Sequence, residues 1–195
     1  MPARPSSTAL VALIAVAATA SGYAHTGTLQ VSGFWHGLSH PFTGVDHLLA
    51  MLAVGIWAVQ LGRRAVWLVP VTFVSVMSVS GLATMGRIAP PLIEPAIVLS
   101  VLLLGILIMA VIRVPLAAGA ALVGVFAVFH GAAHGMEVPV AISGAAYALG
   151  FTAATALLHV CGLGLGGLLA RLDRLDLVRY LGGAVTLGGA YLALA

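Results

Sequence analysis

Charged side chains are nearly absent from this sequence, and the positions where they do fall divide it. Only 13 of 195 residues are Asp, Glu, Lys or Arg, and all eight basic ones are arginine. Between the charges and prolines lie apolar stretches near 41–61, 66–86, 92–112, 115–136, 140–162 and 178–194. Each is close to the roughly 20 residues that an α-helix needs to cross a bilayer core. A soluble domain faces water with about a quarter of its residues charged. A chain that is 62% hydrophobic, with a mean hydropathy of +1.16, has no such surface.

The apolar runs are continuous and do not alternate, which selects helices over barrel strands. The expected fold is all-α: a polytopic membrane bundle of six transmembrane helices, in contact with the lipid bilayer. Small residues at the spacing of Gly162 and Gly166 suit close helix packing, and Pro115 and Pro139 fall where a first-turn proline is tolerated. The same composition excludes disorder. A net charge of +3, with no more than two adjacent arginines, argues against nucleic acid as a partner. The single cysteine, Cys161, excludes an internal disulfide framework and any multi-cysteine zinc or iron–sulfur centre. A homo-oligomer is left open.

The N-terminus reads as an address. Arg4 precedes an apolar run from Ala9 to Ala20, and Gly22 and Ala24 supply small residues before a cleavage point. The expected organisation is a signal peptide over 1–24 and a transmembrane domain over 25–195; the alternative is a first membrane helix. Cleavage places His25 first, on the outer side. The arginines agree with that orientation: Arg63, Arg64, Arg113, Arg171, Arg174 and Arg179 fall at inner ends, and only Arg87 falls at an outer one.

Seven histidines are many for so apolar a chain, and they cluster. The segment His36–Met51 reads HGLSHPFTGVDHLLAM and holds His36, His40, Asp46 and His47. Phe129–Glu137 reads FHGAAHGME and holds His130, His134 and Glu137. On a helix the last three stand at i, i+4 and i+7, on one face. His40 and His47 share a face only if the helix already includes that turn, and Pro41 suggests that it begins there. Asp46 stands about 100° from His47. The first segment opens an inward-running span and the second closes an outward-running one, so four imidazoles and two carboxylates gather in the outer half of the membrane. That donor set suits a borderline divalent transition metal better than calcium or magnesium. Two carboxylates also balance a doubly charged ion, where an uncompensated charge costs at least about 3 kcal/mol. Met51 and Met136 lie nearby, as packing or as soft ligands. The competing reading makes the histidine–carboxylate pairs helix-to-helix hydrogen bonds. Further along, Thr152, Thr155 and His159 share one face, as a waypoint for an ion or as packed side chains. Glu94, beside Pro90, Pro91 and Pro95, reads as a surface carboxylate.

HPFTGVDH (His40–His47), followed by Met51, and FHGAAHGME (Phe129–Glu137) resemble the two signature motifs of the HupE/UreJ family, and the likeness runs over nearly the whole chain. The resemblance implies a permease of the bacterial inner membrane for nickel or cobalt, with a periplasmic mature N-terminus. It links the chain to hydrogenase or urease maturation, with the metallochaperones of that process as partners. It also implies that His40, Asp46, His47, His130, His134 and Glu137 are functional. The residues alone argue for capture of a divalent metal on the outer side; only the resemblance supplies nickel and uptake. The metal is then cargo, and no prosthetic group or catalytic residue is expected. No G-x-x-x-x-G-K-[ST] sequence is present, so the chain does not itself hydrolyse ATP. Two other classes stay open: an intramembrane zinc hydrolase, which keeps one metal position for water, and a metal-binding accessory or sensor protein. A serine–histidine dyad of Ser143 and His159 is ruled out, since 16 residues of helix separate them by about 24 Å.

Overall fold

The computed structural model describes residues 33–85, 90–138 and 143–195. The expected signal peptide, together with His25, Arg87 and Pro139, lies outside the described residues. Among the described residues there are seven α-helices and no strand. Helix α1 (Gly33–Ser39) continues into a 3₁₀ turn (His40–Phe42). It is followed by α2 (Val45–Leu61), α3 (Ala65–Thr84), α4 (Ile93–Met109), α5 (Leu116–Met136), α6 (Gly144–Arg171) and α7 (Leu175–Leu194). Four of them, α3, α5, α6 and α7, are long and apolar enough to cross a membrane. Helix α4 is apolar but has 17 residues.

The stretch expected as one helix over 41–61 is broken. The segments Gly33–Phe42 and Val45–Leu61 meet at an angle of 79°. Pro41 opens the short 3₁₀ turn, as a residue without an N–H can. The backbone N–H and hydroxyl of Thr43 both donate to the His40 carbonyl, at 3.0 and 2.7 Å, and close it. Gly44 is then extended, at φ −96° and ψ 116°, and a new helix starts at Val45. The stretch expected to end near 162 instead runs on to Arg171, making α6 28 residues long, about 42 Å at 1.5 Å per residue.

Close backbone approaches hold the bundle together. Helices α3 and α5 lie side by side and run the same way: a Cβ on Gly131 would overlap the Met77 carbonyl, and one turn on Gly135 meets Gly81 in the same manner. Helices α2 and α6 form a second parallel pair, where Gly162 lies against the Leu52 carbonyl and Gly55. Helix α4 packs on α7, and α1 packs on the start of α6. The expected small-residue packing at Gly162 and Gly166 is thus the α2–α6 contact. The interior is filled by Trp57, Phe73, Met51, Met77, Leu104 and Ile108, all sealed from solvent. Trp57 directs its indole N–H to the Ile112 carbonyl at 3.1 Å, as a buried indole requires.

This order sorts the polar residues to the two ends. The start of α2, the end of α5 and the start of α6 share one end, with the 3₁₀ turn. The turns at the other end hold Arg63 and Arg64, Arg113, and Arg171 with Arg174, all exposed. Arg174 grips Asp176 there through two hydrogen bonds of 3.0 Å.

Candidate metal centre

Three elements deliver the histidines to one place. The last turns of α5 carry His130 and His134 on one face, and Glu137 caps that helix. The first turn of α2 carries His47. The 79° bend before α2 swings the 3₁₀ turn across the bundle end and sets His40 beside His134. Helix α6 forms the back wall with Tyr147, Phe151 and Thr155. The Phe151 ring lies 4.4 Å from that of His134 and 5.1 Å from that of His47.

The outermost part of the cluster is a triangle of donor atoms. His40 Nε2 is 2.8 Å from Glu137 Oε2, His134 Nδ1 is 2.8 Å from the same oxygen, and the two nitrogens are 3.0 Å apart. These three residues form a group able to present one ligand atom each to a single ion. Glu137 is half exposed, His40 and His134 less so. The network continues inward from His134. Its Nε2 is 3.0 Å from His47 Nδ1, which is 3.3 Å from His130 Nδ1. His130 Nε2 is 2.9 Å from Ser100 Oγ, and His47 Nε2 is 3.4 Å from Thr155 Oγ1.

Proton counting fixes one consistent arrangement with every imidazole neutral. Ser100 donates its hydroxyl to the Ile97 carbonyl at 2.6 Å, so it accepts from His130 Nε2–H. His130 Nδ1 is then a lone pair that accepts from His47 Nδ1–H, which also points at His134 Nε2. His47 Nε2 accepts from Thr155. His134 Nδ1–H and His40 Nε2–H are left to donate to Glu137, the one charge in the network. The hydrogen bonds from His134 and then His40 hold the Glu137 carboxyl well below the usual carboxylate range, against the opposing effect of partial burial.

The other expected residues are placed differently. Asp46 is near the cluster in sequence, but its Oδ1 accepts the backbone N–H of His47 at 2.7 Å. That is a first-turn helix contact, which fixes the start of α2 behind His47. His36 is exposed, with its ring stacked 6.3 Å from that of His40. Met51 is core, and Met136 is exposed.

Three participants were not visible in the sequence. Glu94 shares with Glu137 the wall of a cavity of about 400 Å³ at the mouth, with Pro90, Leu92, Ile93, Pro95, Ala133 and Met136. The surface carboxylate expected there therefore faces the site entrance. Ser100 is a lone hydroxyl in an apolar helix, and that isolation was its only signal. Tyr147 is 2% exposed, and its hydroxyl has no hydrogen-bond partner among the described residues.

Comparison with known proteins bears on what such a site serves. The family model described as HupE / UreJ protein matches residues 6–192. Protein HupE of Rhizobium leguminosarum bv. viciae is 44% identical over 180 residues, which cover 92% of this chain and 94% of that protein. No solved structure matches.

Proposed function

Because this chain belongs to the HupE/UreJ family, a family associated with nickel and cobalt uptake for hydrogenase or urease, we propose that it is an ATP-independent permease. It takes up a divalent transition metal, nickel or cobalt, from periplasm to cytoplasm. The four long helices, the 17-residue α4 and the bent α1–α2 pair together make six spans of a multi-pass inner-membrane protein. The histidine end faces outward and the arginine end inward.

The observation that carries this reading is the triangle of His40 Nε2, His134 Nδ1 and Glu137 Oε2, with edges of 2.8–3.0 Å. One ligand atom from each residue is close enough to the other two for a single ion to reach all three, and imidazole with carboxylate suits a borderline divalent metal such as nickel or cobalt. The ion enters past Glu94 and Glu137, whose charges offset its own. For His40 and His134 to bind it, each moves its proton to its other ring nitrogen. His134 Nε2–H then donates to His47 Nδ1, His47 Nε2–H donates to Thr155, and His130 moves its proton to Nδ1 to donate to His47 and accepts at Nε2 from the Ser100 hydroxyl, so loading releases no proton from the imidazoles. Asp46, His47 and His130 act behind the first contact, by holding these tautomers and the start of α2. A potential of 100 mV, inside negative, contributes about 4.6 kcal/mol for two charges, which drives entry without ATP.

The test is accumulation of radioactive nickel by cells expressing the chain, with cobalt and zinc as competitors. The reading expects uptake that His134→Ala and Glu137→Gln abolish at equal membrane abundance, with cobalt competing better than zinc. Cells expressing the unaltered chain that gain no nickel and no cobalt over controls contradict it.

A further inference from the structure

His159 is sealed in the bundle at 1% exposure, and neither of its ring nitrogens has a hydrogen-bond partner among the described residues. Every other buried histidine in the described residues does: His47 bonds Thr155 and the neighbouring imidazoles, and His130 bonds Ser100. A buried imidazole normally finds partners, because an unpaired donor or acceptor in an apolar interior is costly. In a hydrocarbon-embedded chain such a group marks a ligand route by default. The fold keeps this one and gives it nothing to bind.

Its position supplies the reason. Helix α6 passes the cluster as a ladder. Tyr147 is level with His40, with ring centroids 5.9 Å apart, and Phe151 is level with His134 and His47. Thr155 reaches His47 one turn on. His159 is the next rung on the same face, about 6 Å beyond Thr155 and about 12 Å beyond Phe151 along the axis. One aromatic side chain touches both it and the cluster. The Phe73 ring, fully buried, lies 5.6 Å from the His130 ring and 5.3 Å from the His159 ring.

We propose that His159 is an inner ligand for the transported divalent ion, a single imidazole station behind Phe73 that receives the ion from the His47–His130 level and passes it toward the arginine end. The inference rests on the permease reading. An imidazole carrying a lone pair and no competing hydrogen bond is ready to bind an incoming ion without breaking any contact. One strong ligand, against several at the mouth, also keeps the ion from being held too tightly to leave. The handover is a ligand exchange, with no proton or electron to account for. Apolar surroundings make this a point of passage and not a storage site.

The experiment compares His159→Phe, which fills the space without a lone pair, with His159→Cys, which supplies a different metal ligand. Each is expressed beside the unaltered chain and scored for nickel(II) uptake in cells, and for cobalt(II) absorption of the purified protein as a report on the mouth. The proposal expects His159→Phe to lose at least tenfold in uptake with the cobalt spectrum unchanged, and His159→Cys to recover a substantial part of it. Uptake by His159→Phe at the unaltered rate overturns the inner site while leaving the permease intact. Loss of the cobalt spectrum together with uptake also overturns it, since the effect then passes through the mouth. An unaltered chain that transports nothing sinks the permease reading itself.

Discussion

His134 Nε2 lies 3.0 Å from His47 Nδ1, and this contact ties the last turns of α5 to the first turn of α2. It is where the exposed triangle at the mouth meets the buried network. His134 uses its other nitrogen on Glu137 at 2.8 Å, so its tautomer is set from both sides. A change behind it, far from solvent, should therefore be felt at the mouth.

Thr155→Val tests that coupling. The hydroxyl of Thr155 is buried and, among the described residues, is paired with His47 Nε2. Valine keeps the shape and removes the hydrogen bond. Partners that orient a ligand typically contribute a factor of about 10 to 100 in metal affinity or activity. Nickel uptake by Thr155→Val should fall by about tenfold, with Thr155→Ser close to unaltered. Equal uptake by both variants at equal abundance would disconnect Thr155 from the site.

Glu137 predicts an acid-sensitive stability. Its carboxyl is held below its ordinary value of 4.5 by hydrogen bonds from His134 and His40. A depressed folded-state value means that the unfolded chain binds the proton first. The stabilisation is present in full above about pH 4.5 and declines as pH falls below it. Melting temperatures of the purified unaltered chain and of Glu137→Gln should differ by a constant amount above about pH 4.5, and the difference should shrink steadily as pH falls below that value. The carboxylate is half exposed, so solvent screening keeps the difference modest. A gap that widens on acidification would reverse the sign and refute the arrangement.

Val111 offers a prediction independent of metal. Helix α4 ends in a Schellman motif: Ile112 N–H donates to the Leu107 carbonyl at 2.9 Å and Val111 N–H to that of Ile108 at 3.1 Å. The motif places Val111 at φ +55°, a left-handed conformation that a β-branched residue adopts at a cost. Val111→Gly should raise stability by about 1 kcal/mol, read as a higher melting temperature in detergent. A lower one would mean that packing of the valine outweighs the backbone strain.

Much of this architecture was legible in the sequence because lipid leaves so few ways to place 13 charges. The spacing of His130, His134 and Glu137 fixed a shared face on any helix, and α5 presents them that way. The break between His40 and His47 was harder to read. The bend is made by hydrogen bonds of Thr43 and the extended Gly44, which depend on backbone geometry and not on residue type alone. The overrun of α6 past residue 162 was hidden for a related reason. Its glycines look like a helix end, yet Gly162 and Gly166 are where α2 comes close. Glu94 and Ser100 meet the site only through the order in which α4 and α5 pack, and no local pattern encodes that. Asp46 was legible as an acid beside His47, while its bond to the His47 N–H depends on where the helix begins.

The most direct measurement is nickel entry into liposomes that contain only the purified chain, with an indicator sealed inside and a potassium diffusion potential imposed across the membrane. The account predicts entry without ATP that speeds up when the interior is made more negative and is lost in Glu137→Gln. No entry by the unaltered, folded chain at any potential would contradict it, and would leave the histidine cluster a binding site without a path.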